Sequence, residues 1–150
     1  MLSQDEIDEL LDILKVIKYE KSTFSFPSYG ASEILEAFSK DNKKKFLIDI
    51  RPTKSIRRGK KITFQERYIK DIILLRLDLF GPPHTNPDLK KISGNHLHII
   101  RERFDDRLAI EIPENFINIE DRVQTLIDFL EYCKVENYMF ADMERSLEYE

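Results

Sequence analysis

The sequence predicts an α+β fold, with an antiparallel sheet of about five strands and N-terminal helices plus a C-terminal helix packed on one face. Two observations predict it. Apolar residues recur at helical spacing near both ends, and the middle of the chain reads as a run of strands joined mostly by short, turn-rich links. With 150 residues, 41% of them hydrophobic, the chain suits one ordinary core, so a single domain over 1–150 is expected.

The first helix starts at Ser3-Gln4-Asp5-Glu6, a capping box in which the Ser3 hydroxyl accepts from the third helical amide and Glu6 folds back. Ile7, Leu10, Leu11, Leu14 and Ile17 then mark one helical face, which predicts a helix over about 4–19. A loop with Pro27 and Gly30 follows, and Ala31, Ile34, Leu35 and Phe38 predict a short second helix. Five segments read as strands: 46–51, 62–68, 72–80, 96–103 and 108–112. Arg57-Arg58-Gly59-Lys60 and Phe104-Asp105-Asp106-Arg107 read as hairpin connections. The prolines of Gly81-Pro82-Pro83 and Asn86-Pro87-Asp88 lack an amide donor and cannot continue a central strand. Asn118 is the expected cap of a last main helix with Ile119, Val123, Leu126, Ile127 and Leu130 on its apolar face, and 139–147 reads as a small appended helix.

Composition narrows the function. No apolar run approaches the roughly 18 residues that a membrane helix needs, and no basic segment precedes an apolar stretch at Met1-Leu2-Ser3-Gln4-Asp5-Glu6, so a cytoplasmic location is expected. The single cysteine, Cys133, falls at helical spacing among Leu126, Ile127 and Leu130 and reads as a buried structural thiol. The net charge of -4 hides an asymmetry: residues 43–61 carry nine bases against one acid, whereas 111–150 carry eleven acids against three bases. A patch of Lys54, Arg57, Arg58, Lys60 and Lys61 can bind phosphate, or it is a hairpin charged for solubility. An acidic chain is a poor general nucleic-acid binder, because that affinity rests on many cations releasing counterions. Phe24, Phe26 and Tyr29 read as residues pinning a loop over the sheet, and the richness in Lys, Ile, Asn and Phe fits an AT-rich coding source.

All three histidines, His84, His96 and His98, fall within fifteen residues. Histidine changes charge near neutral pH and is the commonest nitrogen ligand of metals, so the clustering marks a candidate site. Strand alternation puts His96 and His98 on one face and Arg101 on the other, where it contributes only at a strand end, a bulge or a rim. In a first reading, His96 and His98 act as base and acid in metal-free phosphodiester cleavage, with His84 auxiliary and Arg76 or Arg101 on phosphate. A second reading takes His96-Leu97-His98 with Glu102 as the His-x-His-x-x-x-Glu spacing of cupin-type metal barrels, His84 adding a ligand. Cupins place another histidine downstream, which this chain lacks, so no metal and no cofactor are expected. A third reading is structural: His84 and Asn86 brace the proline-rich turn, the strand histidines bond to neighbours, and Asp78 is a buried partner of Arg76 or of turn amides.

The stretch from Leu75 to Asp88, with Arg76-Leu77-Asp78, Gly81-Pro82-Pro83-His84 and Asn86-Pro87-Asp88, followed by His96-Leu97-His98-Ile99-Ile100-Arg101-Glu102, resembles an uncharacterised family of small bacterial and prophage-borne proteins. The resemblance carries no activity. In that family glycine often follows Asn-Pro-Asp, where this chain has Leu89, and Arg-Glu is often followed by glycine and later tryptophan, where it has Arg103 and Leu108. His84, His96, His98, Arg76 and Asp78 match. The implied mobile-element setting makes two functions reasonable: a toxin-like ribonuclease acting on RNA, or a non-catalytic module such as an antitoxin or an inhibitor of a host defence nuclease, for example an anti-CRISPR. The second would engage its protein partner through the acidic end or the basic hairpin.

Overall fold

Ser3 and Glu6 form the capping box in the computed structural model, which describes residues 2–18, 25–57 and 59–138: the Ser3 hydroxyl accepts from the Glu6 amide and the Glu6 carboxylate from the Ser3 amide, both at 3.2 Å. The helix they start, α1 (Gln4–Asp12), stops well short of residue 19, because Ile13 turns extended and Lys15–Ile17 becomes strand β1. The chain continues through β2 (Glu33–Ser39), β3 (Lys45–Ser55), β4 (Gly59–Tyr68), β5 (Ile72–Leu79), β6 (His84–Thr85), β7 (Lys91–Ile92), β8 (His96–Ile99), β9 (Ala109–Glu111), α2 (Arg122–Tyr132) and β10 (Val135–Glu136). Eight strands form one sheet in the order β10-β1-β2-β3-β4-β5-β8-β9, while β6 and β7 pair as a separate ribbon. Only the β1–β10 pairing in that sheet is parallel.

The α+β class and the two flanking helices agree with the sequence reading, but the sheet is larger than five strands. The expected second helix is strand β2. Its burial alternates, with Leu35, Ala37 and Ser39 inside and Ile34 and Glu36 outside, because six residues pair with β3 and that ladder overrides an ambiguous apolar spacing. Asp121, not Asn118, caps α2 by accepting from the Gln124 amide; Asn118 makes a turn just before it, accepting from Glu120. Strand β8 ends at Ile99 because the chain folds into a tight turn closed by an Arg101–Asp105 bridge, with Asp105 at φ 51°. The appended helix over 139–147 lies outside the described residues, as do Phe24 and Arg58. No helix of the described residues is long and apolar enough to cross a membrane.

Register divides the sheet into two unlike faces. On one, Ile50, Phe64, Leu77 and Leu97 stand side by side across β3, β4, β5 and β8, and join Ile7 and Leu10 of α1 and Leu126, Phe129 and Leu130 of α2 in the core. The Phe64 and Phe129 rings meet at 5.9 Å between centroids. Each such fully buried side chain contributes roughly 1.5–3 kcal/mol. On the opposite face the same strands carry two polar rows: Arg51, Thr63, Asp78 and His96, then Asp49, Gln65, Arg76 and His98.

The apolar face holds one ion pair. The Lys15 ammonium lies 3.5 Å from Glu66, both side chains wholly buried, and donates to the Cys133 carbonyl at 2.8 Å. Burial raises the Glu66 carboxyl pKa, and Lys15 offsets this only in part. The same burial, with Glu66 beside it, pushes the Cys133 thiol up, so this cysteine is the inert thiol its helical position suggested. Lys15→Met should cost about 3–5 kcal/mol by leaving Glu66 uncompensated, and Lys15→Met with Glu66→Gln should recover most of that loss in urea unfolding. The single variant should also depend on pH. A carboxyl whose pKa is raised on folding binds its proton more tightly folded, so stability is fully present below the ordinary value of 4.5 and falls as pH rises above it.

Candidate functional site

Asp78 is where the polar rows converge. Its Oδ2 lies 3.3 Å from His96 Nε2, 3.4 Å from His98 Nε2 and 3.3 Å from Arg76 Nε, while the Thr63 hydroxyl donates to Oδ1 at 2.9 Å. The pairing of β5 with β8, which sets Asp78 opposite His96 and Arg76 opposite His98, accounts for this convergence. Burial alone would raise the pKa of Asp78. Hydrogen bonding by His96 and His98, the Arg76 charge and the Thr63 hydroxyl outweigh it and hold the carboxyl well below the usual range, so the group is ionised.

Backbone carbonyls fix both strand rings. His96 Nδ1 donates to the Ser93 carbonyl at 2.6 Å and His98 Nδ1 to the Asp106 carbonyl at 2.9 Å. A carbonyl only accepts, so each ring carries a proton on Nδ1 and turns Nε2 toward Asp78. The rings are 3% and 2% exposed and meet edge to face, 4.8 Å between centroids. His84, on the ribbon, completes the cluster with its centroid 4.6 Å from that of His98. Its Nε2 donates to the Arg107 carbonyl at 2.7 Å, which leaves Nδ1 bare in the neutral ring. The three rings and Asp78 line a pocket of about 140 Å³, with Lys61 and Arg76 among its other walls. A groove of about 320 Å³, edged by Arg51, Thr53, Lys61, Thr63, Arg76 and Asp78, shares Lys61, Arg76 and Asp78 with that pocket.

The structure therefore brings together His84, His96, His98 and Arg76, but not Arg101. Arg101 lies beyond the end of β8, donates to the Ile100 carbonyl, and lines a different pocket beside Leu75, Ile99 and Tyr132 on the helix-covered side. Glu102 is also remote: it accepts from the Gln4 amide at the start of α1, so the His-x-His-x-x-x-Glu spacing does not assemble. The basic hairpin is not one patch. Lys61 alternates into the pocket, whereas Lys54 and Lys60 pair with each other on the opposite side, Lys60 lying over the Tyr29 ring. Arg57 sits exposed at the turn, and Arg58 is outside the described residues. Arg51 and Thr63 join the site through register, and Asp106 joins it through the turn after β8, its carboxylate 3.2 Å from Arg76. Only the alternation within β3 and β4 signals the first two in sequence.

The proline-rich loop is held in place from several sides. Asn86 is buried and makes a reciprocal pair with Ala109, donating to its carbonyl and accepting from its amide, both at 2.8 Å. Asn95 accepts from the Phe80 amide, and Gly94 runs so close to Gly81 that a Cβ there would lie 1.9 Å from the Gly81 carbonyl oxygen. The structural reading of Asn86 as a brace agrees with these contacts.

A model of a family of unknown function, DUF6978, matches residues 2–135. The chain belongs to that family. No curated protein and no solved structure matches it. The stretch shared with DUF6978 takes in every residue of the cluster and the groove. Within this frame Asn86→Ala should lower stability by about 2 kcal/mol, since it removes two hydrogen bonds and leaves both Ala109 groups unpaired. Hydrogen exchange should then quicken at Ala109 and along β6 and β7 while β3 and β4 stay protected.

Proposed function

We propose that this DUF6978 protein cleaves RNA phosphodiester bonds on the polar face of its sheet, as a small cytoplasmic conflict protein of a phage or mobile element. One observation carries the reading: a cluster of three histidines around an ionised aspartate opens into a pocket that shares Lys61 and Arg76 with a cationic groove. Cations lining one pocket suit the charged non-bridging oxygens of a phosphate chain, and Arg76 presents a planar fork to them. RNA supplies its own nucleophile. When the 2′-hydroxyl loses its proton, its oxygen bonds to phosphorus, the bond to the 5′ oxygen breaks, and the leaving oxygen takes a proton from water.

His84 suits the proton-accepting role, because its Nε2 is engaged with the Arg107 carbonyl and Nδ1 keeps a lone pair in the neutral ring. His96 and His98 do not flank a phosphate as a base and acid pair would, since both Nε2 atoms aim at the same carboxylate oxygen. They form the floor of the pocket, while Arg76, Lys61 and Arg51 balance the charge gathering on the phosphate.

A binding role without catalysis is the second reading. The end of β9 and the segment after it favour it, with Glu111 and Glu114 exposed and Ile117 82% exposed beside them, a surface suited to a cationic protein partner such as a nuclease. Purified full-length protein incubated with RNA decides between the two, with and without added divalent ions. Under the cleavage reading, His84→Ala and Arg76→Ala each lower kcat/KM about 100-fold or more, and Arg57→Ala at the hairpin turn leaves it unchanged. RNA left intact under both conditions overturns cleavage.

A further inference from the structure

We infer that Asp78, His96 and His98 hold a divalent first-row transition ion of the zinc type. The inference stands on the donor atoms alone and does not rest on RNA being the substrate. Both rings are committed at Nδ1 to carbonyls that only accept. In the neutral ring, Nε2 therefore presents a lone pair, and two such lone pairs converge on an anionic oxygen. Three such atoms, one from each residue, face one another as the donor set that a divalent cation takes from two histidines and a carboxylate.

Distances point the same way. His96 and His98 Nε2 stand 3.3 and 3.4 Å from Asp78 Oδ2. In a tetrahedral zinc site with bonds near 2.0–2.1 Å, neighbouring donors lie about 3.3 Å apart. The three donor atoms all lie within 4.8 Å of one another. Their support also matches a metal site. Each ring gives its second nitrogen to a backbone carbonyl, and Thr63 holds Oδ1 so that Oδ2 faces the rings. Two histidines and one carboxylate leave coordination positions free, and the adjoining pocket of about 140 Å³ has room there for a water or a substrate oxygen. Glu102, the carboxylate that local spacing suggested, is replaced by one that β-pairing brings in from β5. Arg76 shares Oδ2 and must release it when the ion enters, which its second contact, to Asp106, permits.

Full-length protein stripped with EDTA and titrated with Zn²⁺ by calorimetry tests this. One equivalent should bind at micromolar affinity or tighter. Asp78→Asn and His98→Gln should each weaken it 100-fold or more while circular dichroism confirms the fold, and Arg76→Gln should retain or tighten it. Because substitutions among buried groups can unfold the chain, Co²⁺ added to the wild-type protein gives a second reading: visible d–d bands of tetrahedral intensity, abolished by one equivalent of Zn²⁺. Wild-type protein that binds no Zn²⁺ and gives no such bands overturns the inference. So does binding that survives both ligand substitutions in folded protein. Stoichiometric Zn²⁺ with RNA left intact supports this site and refutes the cleavage reading; RNA cleavage by stripped protein that takes up no Zn²⁺ does the reverse.

Discussion

The ionised carboxylate of Asp78 is the interaction on which the polar half of this molecule depends. Four neighbours from three strands, Thr63, Arg76, His96 and His98, direct a hydrogen, a charge or a ring nitrogen at its two oxygens. Burying a carboxylate is costly unless it is paired and hydrogen-bonded. A sheet face serving stability alone would be better filled by aliphatic groups, as the opposite face of β5 and β8 is. The concentration of polar chemistry at one register position, next to a pocket, marks that position as the candidate site.

Strand β4 carries both kinds of buried charge, and the contrast is instructive. Glu66 on its apolar side meets Lys15 in a closed environment between sheet and helix α2, both side chains wholly buried. Thr63 on its other side contacts a carboxylate whose surroundings open into a pocket and a groove. The first pair fixes how β1 and β4 stand within the core. The second arrangement sets its donor atoms in the wall of a pocket, which a structural pair does not require.

Much of this was legible in the sequence where the signal was local. The capping box at Ser3, the strand alternation placing His96 and His98 together with Arg101 opposed, and the buried character of Cys133 all follow from residues within a few positions of one another. Asp78 was recognisable as a partner of Arg76, which it is, but its union with both histidines depends on pairing across eighteen positions from Asp78 to His96, and periodicity does not encode that register. Ala31, Ile34, Leu35 and Phe38 satisfy a helical face as well as a strand, and pairing with β3 decides the matter. The three-residue β1 and two-residue β10 are too short to leave any pattern. The charge run over 43–61 looked continuous, yet alternation sends Arg51 and Lys61 to one face and Lys54 and Lys60 to the other. Leu89 is informative in a different way: after Asn86-Pro87-Asp88 it adopts φ 71°, a left-handed conformation suited to glycine.

What remains to be explained is why a guanidinium and two imidazoles should share a single carboxylate oxygen. All three crowd Oδ2 at 3.3–3.4 Å, so they compete for one oxygen. Arg76 has an alternative in Asp106, on the turn after β8, whereas the rings are anchored through Nδ1 and cannot turn elsewhere without losing a backbone hydrogen bond. The adaptable member is therefore the arginine. A site built this way has a rigid floor, His96, His98 and Asp78, and a cationic side chain that can exchange a carboxylate for an incoming anion. That division of labour suits binding of a phosphate group better than it suits permanent structural pairing. It also assigns the proline-rich loop its purpose, since Asn86 and the Gly81–Gly94 contact hold His84 over the floor from the side that the sheet itself leaves open.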